Sequence, residues 1–145
     1  MINTFETNFK PSCNFNIIFN SPHSGSYYNK DFLNSTDLEI YDLRTSEDTF
    51  VSELFNSAKT FSSILMEAKF PRSFVHLNRS HLELDPNIIT GNFYFEKTAR
   101  NMAGLGVIPR FSGNGKEIYT KPITIEDAQK RLEYFYFPYH QFLKY

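Results

Sequence analysis

Four polar groups in the sequence have side chains suited to chemistry. The first is His23, in Ser21-Pro22-His23-Ser24-Gly25, directly after the apolar run Asn16-Ile17-Ile18-Phe19-Asn20. Pro22 stiffens such a turn and Gly25 loosens it. An imidazole delivered there, at the mouth of a strand, is placed to hold a metal. Taken alone, the same residue suits a surface turn equally well. The second group is the acid pair Glu47-Asp48. Acids in a first helical turn satisfy free N–H groups, and the pair has that local explanation. Chemically it also offers oxygen ligands that would make a His/carboxylate metal site, for which zinc is the natural ion. The separation between His23 and Asp48 is no local motif, so only the fold can join them.

The third group is Asn78-Arg79, after the apolar pair Phe74-Val75. An Arg fork binds a carboxylate in two places and Asn adds a neutral donor, so the pair suits a carboxylate clamp. A polar loop is the plainer explanation. Arg72 and Arg110, each beside a proline, add positive charge for the same clamp. The fourth group is His81, Glu83 and Asp85, interleaved with Leu82 and Leu84. That alternation suits the solvated face of an edge strand better than a metal site. Gly104-Leu105-Gly106 lacks the third glycine and following helix of a dinucleotide fingerprint. No Gly-x-Ser-x-Gly elbow is present to support a serine hydrolase of that type.

The elements that must carry these groups follow from periodicity. Residues 1–14 read as a surface lead-in, and Phe15 to Asn20 as the first strand. Thr45-Ser46-Glu47-Asp48 has the form of a helix N-cap, with Phe50, Val51, Leu54, Phe55 and Ala58 recurring on one face. Ser62 to Glu67 reads as a second strand. A strand, a helix and a strand make a βαβ-like unit and predict a sheet with parallel members. Residues Phe70 to Pro86 read as a polar loop, and Phe95 to Met102 as a short helix. Gly113-Asn114-Gly115 predicts a hairpin turn. Thr124 caps a final helix with Ile125, Ala128, Leu132 and Phe135 inward, and Pro138 breaks or restarts it.

The whole chain of 145 residues, 1–145, is one domain's worth. Fifteen basic and sixteen acidic side chains leave a formal net charge of -1, and the basic ones are scattered. That argues against a nucleic-acid partner. No apolar run approaches the ~20 residues that span a bilayer. No secretory signal is visible, and Cys13 is the single cysteine, so the expected compartment is cytoplasmic.

Taken in order, Ser21-Pro22-His23-Ser24-Gly25, Leu43-Arg44 with Glu47-Asp48 and Phe50-Val51, Phe70-Pro71-Arg72, Leu77-Asn78-Arg79, Glu83-Leu84-Asp85-Pro86, Gly104 to Arg110, Ile118-Tyr119 and Pro138-Tyr139-His140 resemble the N-formylglutamate amidohydrolase family. The resemblance covers about Phe15 to Tyr145. It implies a fold similar to zinc carboxypeptidases: α/β, three layers α/β/α around a mixed, partly parallel central sheet. It implies that His23 and the acid pair, Asp48 rather than Glu47, are zinc ligands. It also implies that Asn78 and Arg79 grip the substrate carboxylate, with Arg72 and Arg110 expected from their charge alone to add to substrate binding. The reaction implied is hydrolysis of N-formyl-L-glutamate, or a related N-acyl amino acid, to formate and glutamate in histidine breakdown. The family usually carries Asp at the positions of Ser52 and His76. It is nearly twice as long, and its later half brings the third metal ligand and the general base. The expectation is therefore an N-terminal part with an incomplete sheet and site. Such a part is either completed by a separate C-terminal half or a catalytically inactive remnant or binding module.

Overall fold

A computed structural model describes residues 4–10 and 17–144. Its main sheet has three strands: β1 (Phe5–Thr7), β2 (Ile17–Ser21) and β3 (Ser63–Ala68). The order is β1-β3-β2. β2 runs parallel to β3, with Phe19 opposite Leu65, and β1 runs antiparallel to β3, with Glu6 opposite Glu67. The sheet is thus mixed and partly parallel, as the βαβ pattern predicts. β3 is central and its residues are almost all buried, which suits its apolar run Ile64-Leu65-Met66. The expected first strand begins, among the described residues, at Ile17; Phe15, Asn16 and Cys13 lie outside them.

The lead-in reading of the first residues is corrected by β1. Three residues are too short for a periodic signal, but tertiary contacts fix them. Phe5 packs edge-on against Tyr139 and beside Phe142, and Thr4 accepts the amide of Lys69. The connection from β2 to β3 carries three short helices, α1 (Lys30–Leu33), α2 (Ile40–Arg44) and α3 (Val51–Leu54), then a 3-10 turn over Asn56–Thr60. The single helix expected from Thr45 does not form. Thr45 instead ends α2, with its hydroxyl donating back to the Asp42 carbonyl. Phe50 then stands at φ 65, alone among the described non-glycine residues at positive φ, and no helix runs through that conformation.

Beyond β3 the chain is mostly irregular yet buried. Phe70, Phe74, Val75, Leu77 and Leu84 all join one core with Val107, Ile108 and Ile118. α4 (Ala99–Met102) starts at Thr98, whose hydroxyl accepts the Asn101 amide. The turn at Gly113 closes a single antiparallel bridge, Phe111 to Glu117. A second, two-stranded parallel sheet joins β4 (Ile89–Thr90) to β5 (Ile123–Thr124).

Thr124 caps α5 (Ile125–Arg131) through the Asp127 amide, as expected. Leu132–Tyr136 then winds as a π-helix, and α6 (Phe137–Phe142) continues with Pro138 in its first turn. The wider turn accommodates a residue that has no N–H and crowds the preceding turn. Pro138 therefore restarts the helix rather than ending it. α6 lies on the sheet through buried Tyr139, whose hydroxyl donates to the Asn20 side chain. No helix among the described residues is long and apolar enough to cross a membrane.

Candidate functional site

The carboxyl end of β2 delivers His23 into a buried position. Gly25 follows it and packs on the backbone of Phe70, where a Cβ would come within 2.2 Å of the Phe70 carbonyl oxygen. Any larger residue would push the turn off the end of β3. The Ser21 and Ser24 hydroxyls bond across the turn at 2.6 Å. Two further bonds stitch it to the loop after α2. The Asp48 amide donates to the His23 carbonyl at 3.0 Å, and the Ser24 hydroxyl donates to the Asp48 carbonyl at 3.0 Å.

This stitching brings the side chains together across the gap in sequence. His23 Nδ1 lies 3.2 Å from Asp48 Oδ2, and Arg72 lies 3.9 Å from the other Asp48 oxygen. The Asp48 side chain is 48 % exposed, while His23 is buried. Glu47 goes elsewhere. Its side chain is 2 % exposed, and its oxygens take the Tyr28 hydroxyl at 2.6 Å and Arg44 Nε at 3.2 Å. Of the acid pair, therefore, Asp48 faces the histidine and stays half-exposed, and Glu47 is committed to fastening Tyr28, ahead of α1, to Arg44 of α2. Both acids sit in a loop, not in a first helical turn.

A second histidine completes the cluster. The His76 ring stands perpendicular to that of His23, with centroids 4.6 Å apart, and is buried. Burial is the main cause that lowers both histidines' pKa values, with Arg72 adding to it; His76 is pushed down to about 3. Both rings are neutral at pH 7, the form in which imidazole binds metals. Sequence reasoning placed His76 in a polar loop and noted that the family usually carries Asp there, but gave it no role in the site. The signal for its burial was its place between Phe74-Val75 and Leu77.

Asn78 and Arg79 leave this core on a short exposed segment that the C-terminal helices anchor. His140 Nε2 donates to the Leu77 carbonyl at 2.9 Å, and the Tyr136 hydroxyl donates to the Arg79 carbonyl at 2.7 Å. Asn78 is exposed, and the Arg79 Nε is buried without a hydrogen-bond partner among the described residues. The positive charge of Arg79 also contributes to the lowered pKa of His23 and of His76. Arg110 is placed differently. It pairs with fully buried Asp85 at 3.1 Å and covers the Phe111 ring. A cavity of about 290 Å³ adjoins the cluster, lined by Arg72 and His76 with Ser46, Pro109, Ser112 and Gly113.

The solvated-face reading of the fourth group is corrected here. His81 is exposed, but Glu83 and Asp85 are buried, and the segment is not a strand. Asp85 Oδ1 accepts the amide and side chain of Asn87, each at 2.8 Å. Asp85 turns inward because the loop supplies its partners, whereas Glu83 Oε2 is buried without a hydrogen-bond partner among the described residues.

The residues present fit a zinc ion in part. Two donors about 2.1 Å from a tetrahedral zinc stand about 3.4 Å apart, close to the 3.2 Å between His23 Nδ1 and Asp48 Oδ2. Imidazole nitrogen and carboxylate oxygen are both zinc donors. No group of three or more potential ligands assembles among the described residues.

This is an α/β domain with its polar cluster beyond the carboxyl end of a parallel strand, where such folds place their ligands. The chain belongs to the N-formylglutamate amidohydrolase family, whose sequence model matches residues 15–145. It is similar to the crystal structure of N-formylglutamate amidohydrolase from Ralstonia eutropha JMP134, with a TM-score of 0.88 and 27% identity. That match covers 99% of this chain and 51% of the other, so the chain spans about half the length of that relative. No curated protein matches the sequence.

Proposed function

We propose that the chain carries the first metal-ligand pair and the carboxylate clamp of an amidohydrolase acting on N-formyl-L-glutamate or a related N-acyl amino acid. The observation that carries the reading is the 3.2 Å approach of His23 Nδ1 to Asp48 Oδ2. His23 and Asp48 would hold zinc, which supplies Lewis acidity and an activated water when bound. Asn78 and Arg79 bind the substrate carboxylate on the anchored segment. Arg72, 3.9 Å from Asp48, adds attraction for an anionic substrate. Arg110 supports the clamp from beneath by holding the loop at Asp85. The general base and a third ligand are assigned to the part of the relative that this chain does not match, whether on the same or a separate polypeptide.

A second reading has its own observation. Because no set of three ligands assembles among the described residues, the chain would instead bind the N-acyl amino acid without cleaving it. Incubating the full chain with zinc and N-formyl-L-glutamate separates the two. Formate release that His23→Ala abolishes supports the hydrolase. Saturable binding that Arg79→Ala abolishes, without formate, supports the binding module. Neither release nor binding would overturn both.

A further inference from the structure

Strand β2 has the sequence of an interior strand and the position of an edge. Ile17, Ile18 and Phe19 are consecutive apolar residues, the pattern of a parallel strand covered on both faces. β3 has the same pattern in Ile64-Leu65-Met66, lies between two neighbours and is buried throughout that run. β2 has a neighbour on one side only, and Ile17 and Ile18 are 54 % and 43 % exposed. Side chains alternate along a strand, so the two isoleucines leave both faces bare at that end. Further along, Phe19 packs against Phe55 on one face, and Asn20 meets the Tyr139 hydroxyl on the other. Among the described residues, the backbone of Ile17–Ser21 makes no hydrogen bond except to β3. A free sheet edge is normally blunted by shortness, a charge or a proline. The opposite edge is: β1 has three residues and carries Glu6, paired with Lys69 at 2.7 Å. β2 has five residues with no charge and no proline.

We propose that the free edge of β2 receives a further strand, parallel to it, from the polypeptide equivalent to the half of the relative that this chain does not match. About half the length of that relative lies outside the match, so a body of similar size remains to be placed against these elements. This edge is where the part carrying the remaining ligand and base would join, and the choice of occupant rests on the reading above. A parallel neighbour in register ends beside the carboxyl end of β2, so the residues that follow it enter the open cluster at His23 and Asp48.

The test is co-expression of the full chain with the unmatched half of the Ralstonia eutropha JMP134 relative, followed by co-purification and hydrogen exchange. The two polypeptides should purify together, and the outward-facing amides of β2 should exchange at least about 10-fold more slowly than in the chain alone. Ile18→Lys charges the edge at an exposed site and should weaken the association about 10-fold or more. If that variant does not fold, the exchange pattern of the unaltered chain decides. If the second half is insoluble alone, the same exchange is measured on one polypeptide in which it follows Tyr145. Absent association, association that leaves the β2 amides unprotected or that Ile18→Lys does not weaken, and a joined chain in which these amides exchange as before each overturn the inference. Protection of the edge by a second copy of the chain, seen as concentration-dependent dimerisation in place of the mixed complex, overturns it too. Formate release from N-formyl-L-glutamate is read separately. A protected edge without formate sinks the hydrolase reading and leaves the docking surface standing, and formate released without edge protection does the reverse.

Discussion

At Asp85 one carboxylate oxygen takes the amide and side chain of Asn87, and the other lies 3.1 Å from Arg110 Nε as an ion pair without hydrogen-bond geometry, with the side chain fully buried. At Asp48 one oxygen meets a histidine at 3.2 Å, the other has an arginine only at 3.9 Å, and half the side chain meets solvent. The first cluster is sealed from solvent, its acid facing only groups of the chain itself. The second is open, with a buried histidine nitrogen unpartnered behind it. Both are polar groups in irregular loops, so composition does not separate them. What separates them is whether solvent reaches the acid, and that separates a buried structural ion pair from a candidate ligand site.

Breaking the closed cluster should cost most. Asp85→Ala leaves Arg110 and the Asn87 donors without their acceptor inside the fold, and should destabilise the chain by about 3–5 kcal/mol. Urea unfolding measures this, and a loss near that of a surface substitution would show the pair to be dispensable. Acid should act next, on the histidines around the open cluster. Burial lowers the folded-state pKa of His23, His76 and His140 below the ordinary 6.5. A depressed folded value means the folded chain binds fewer protons, so stability is complete above about pH 6.5 and falls as the pH drops through it toward the folded values. For His76 that window reaches down to about 3. The urea midpoint of the metal-free chain should fall from pH 7.5 to pH 5, and a flat profile would contradict the burial of these rings.

Smaller effects sharpen the comparison. Tyr136→Phe removes the hydroxyl that holds the Arg79 carbonyl, and should cost about 1 kcal/mol in the same unfolding assay. It should also weaken ligand binding through Asn78 and Arg79 more than Tyr134→Phe does, since the Tyr134 side chain is 60% exposed. Asp48→Asn should change stability least, by about 0.5 kcal/mol or less, because a half-exposed acid contributes little as an ion pair. A loss as large as that of Asp85→Ala would make Asp48 a structural residue and end the distinction.

Much of this was legible in the sequence, for reasons that differ by element. β2 and β3 announced themselves as short apolar runs, and Thr124 and Ala128 marked the final helix, because local pattern and tertiary role agree there. β1 was not legible, since three residues carry no period and Phe5 is fixed by the distant α6. The helix expected from Thr45 failed at Phe50, whose left-handed backbone no propensity signals. The acids at Glu83 and Asp85 were misplaced because alternation with leucines implies a strand only where a strand forms. In the candidate site, His23 was conspicuous beside its glycine, yet its pairing with Asp48 came only from the ordered family blocks. The His76 ring reaches that of His23 from another loop, a contact that no spacing encodes.

The central claim is that His23 and Asp48, and not Glu47, form the metal-holding pair. Zinc titration of the full chain beside His23→Ala, Asp48→Ala and Glu47→Gln tests it directly. The account predicts that the first two substitutions abolish binding and that Glu47→Gln retains it. Zinc binding that survives Asp48→Ala, or that disappears with Glu47→Gln in a folded chain, would contradict it.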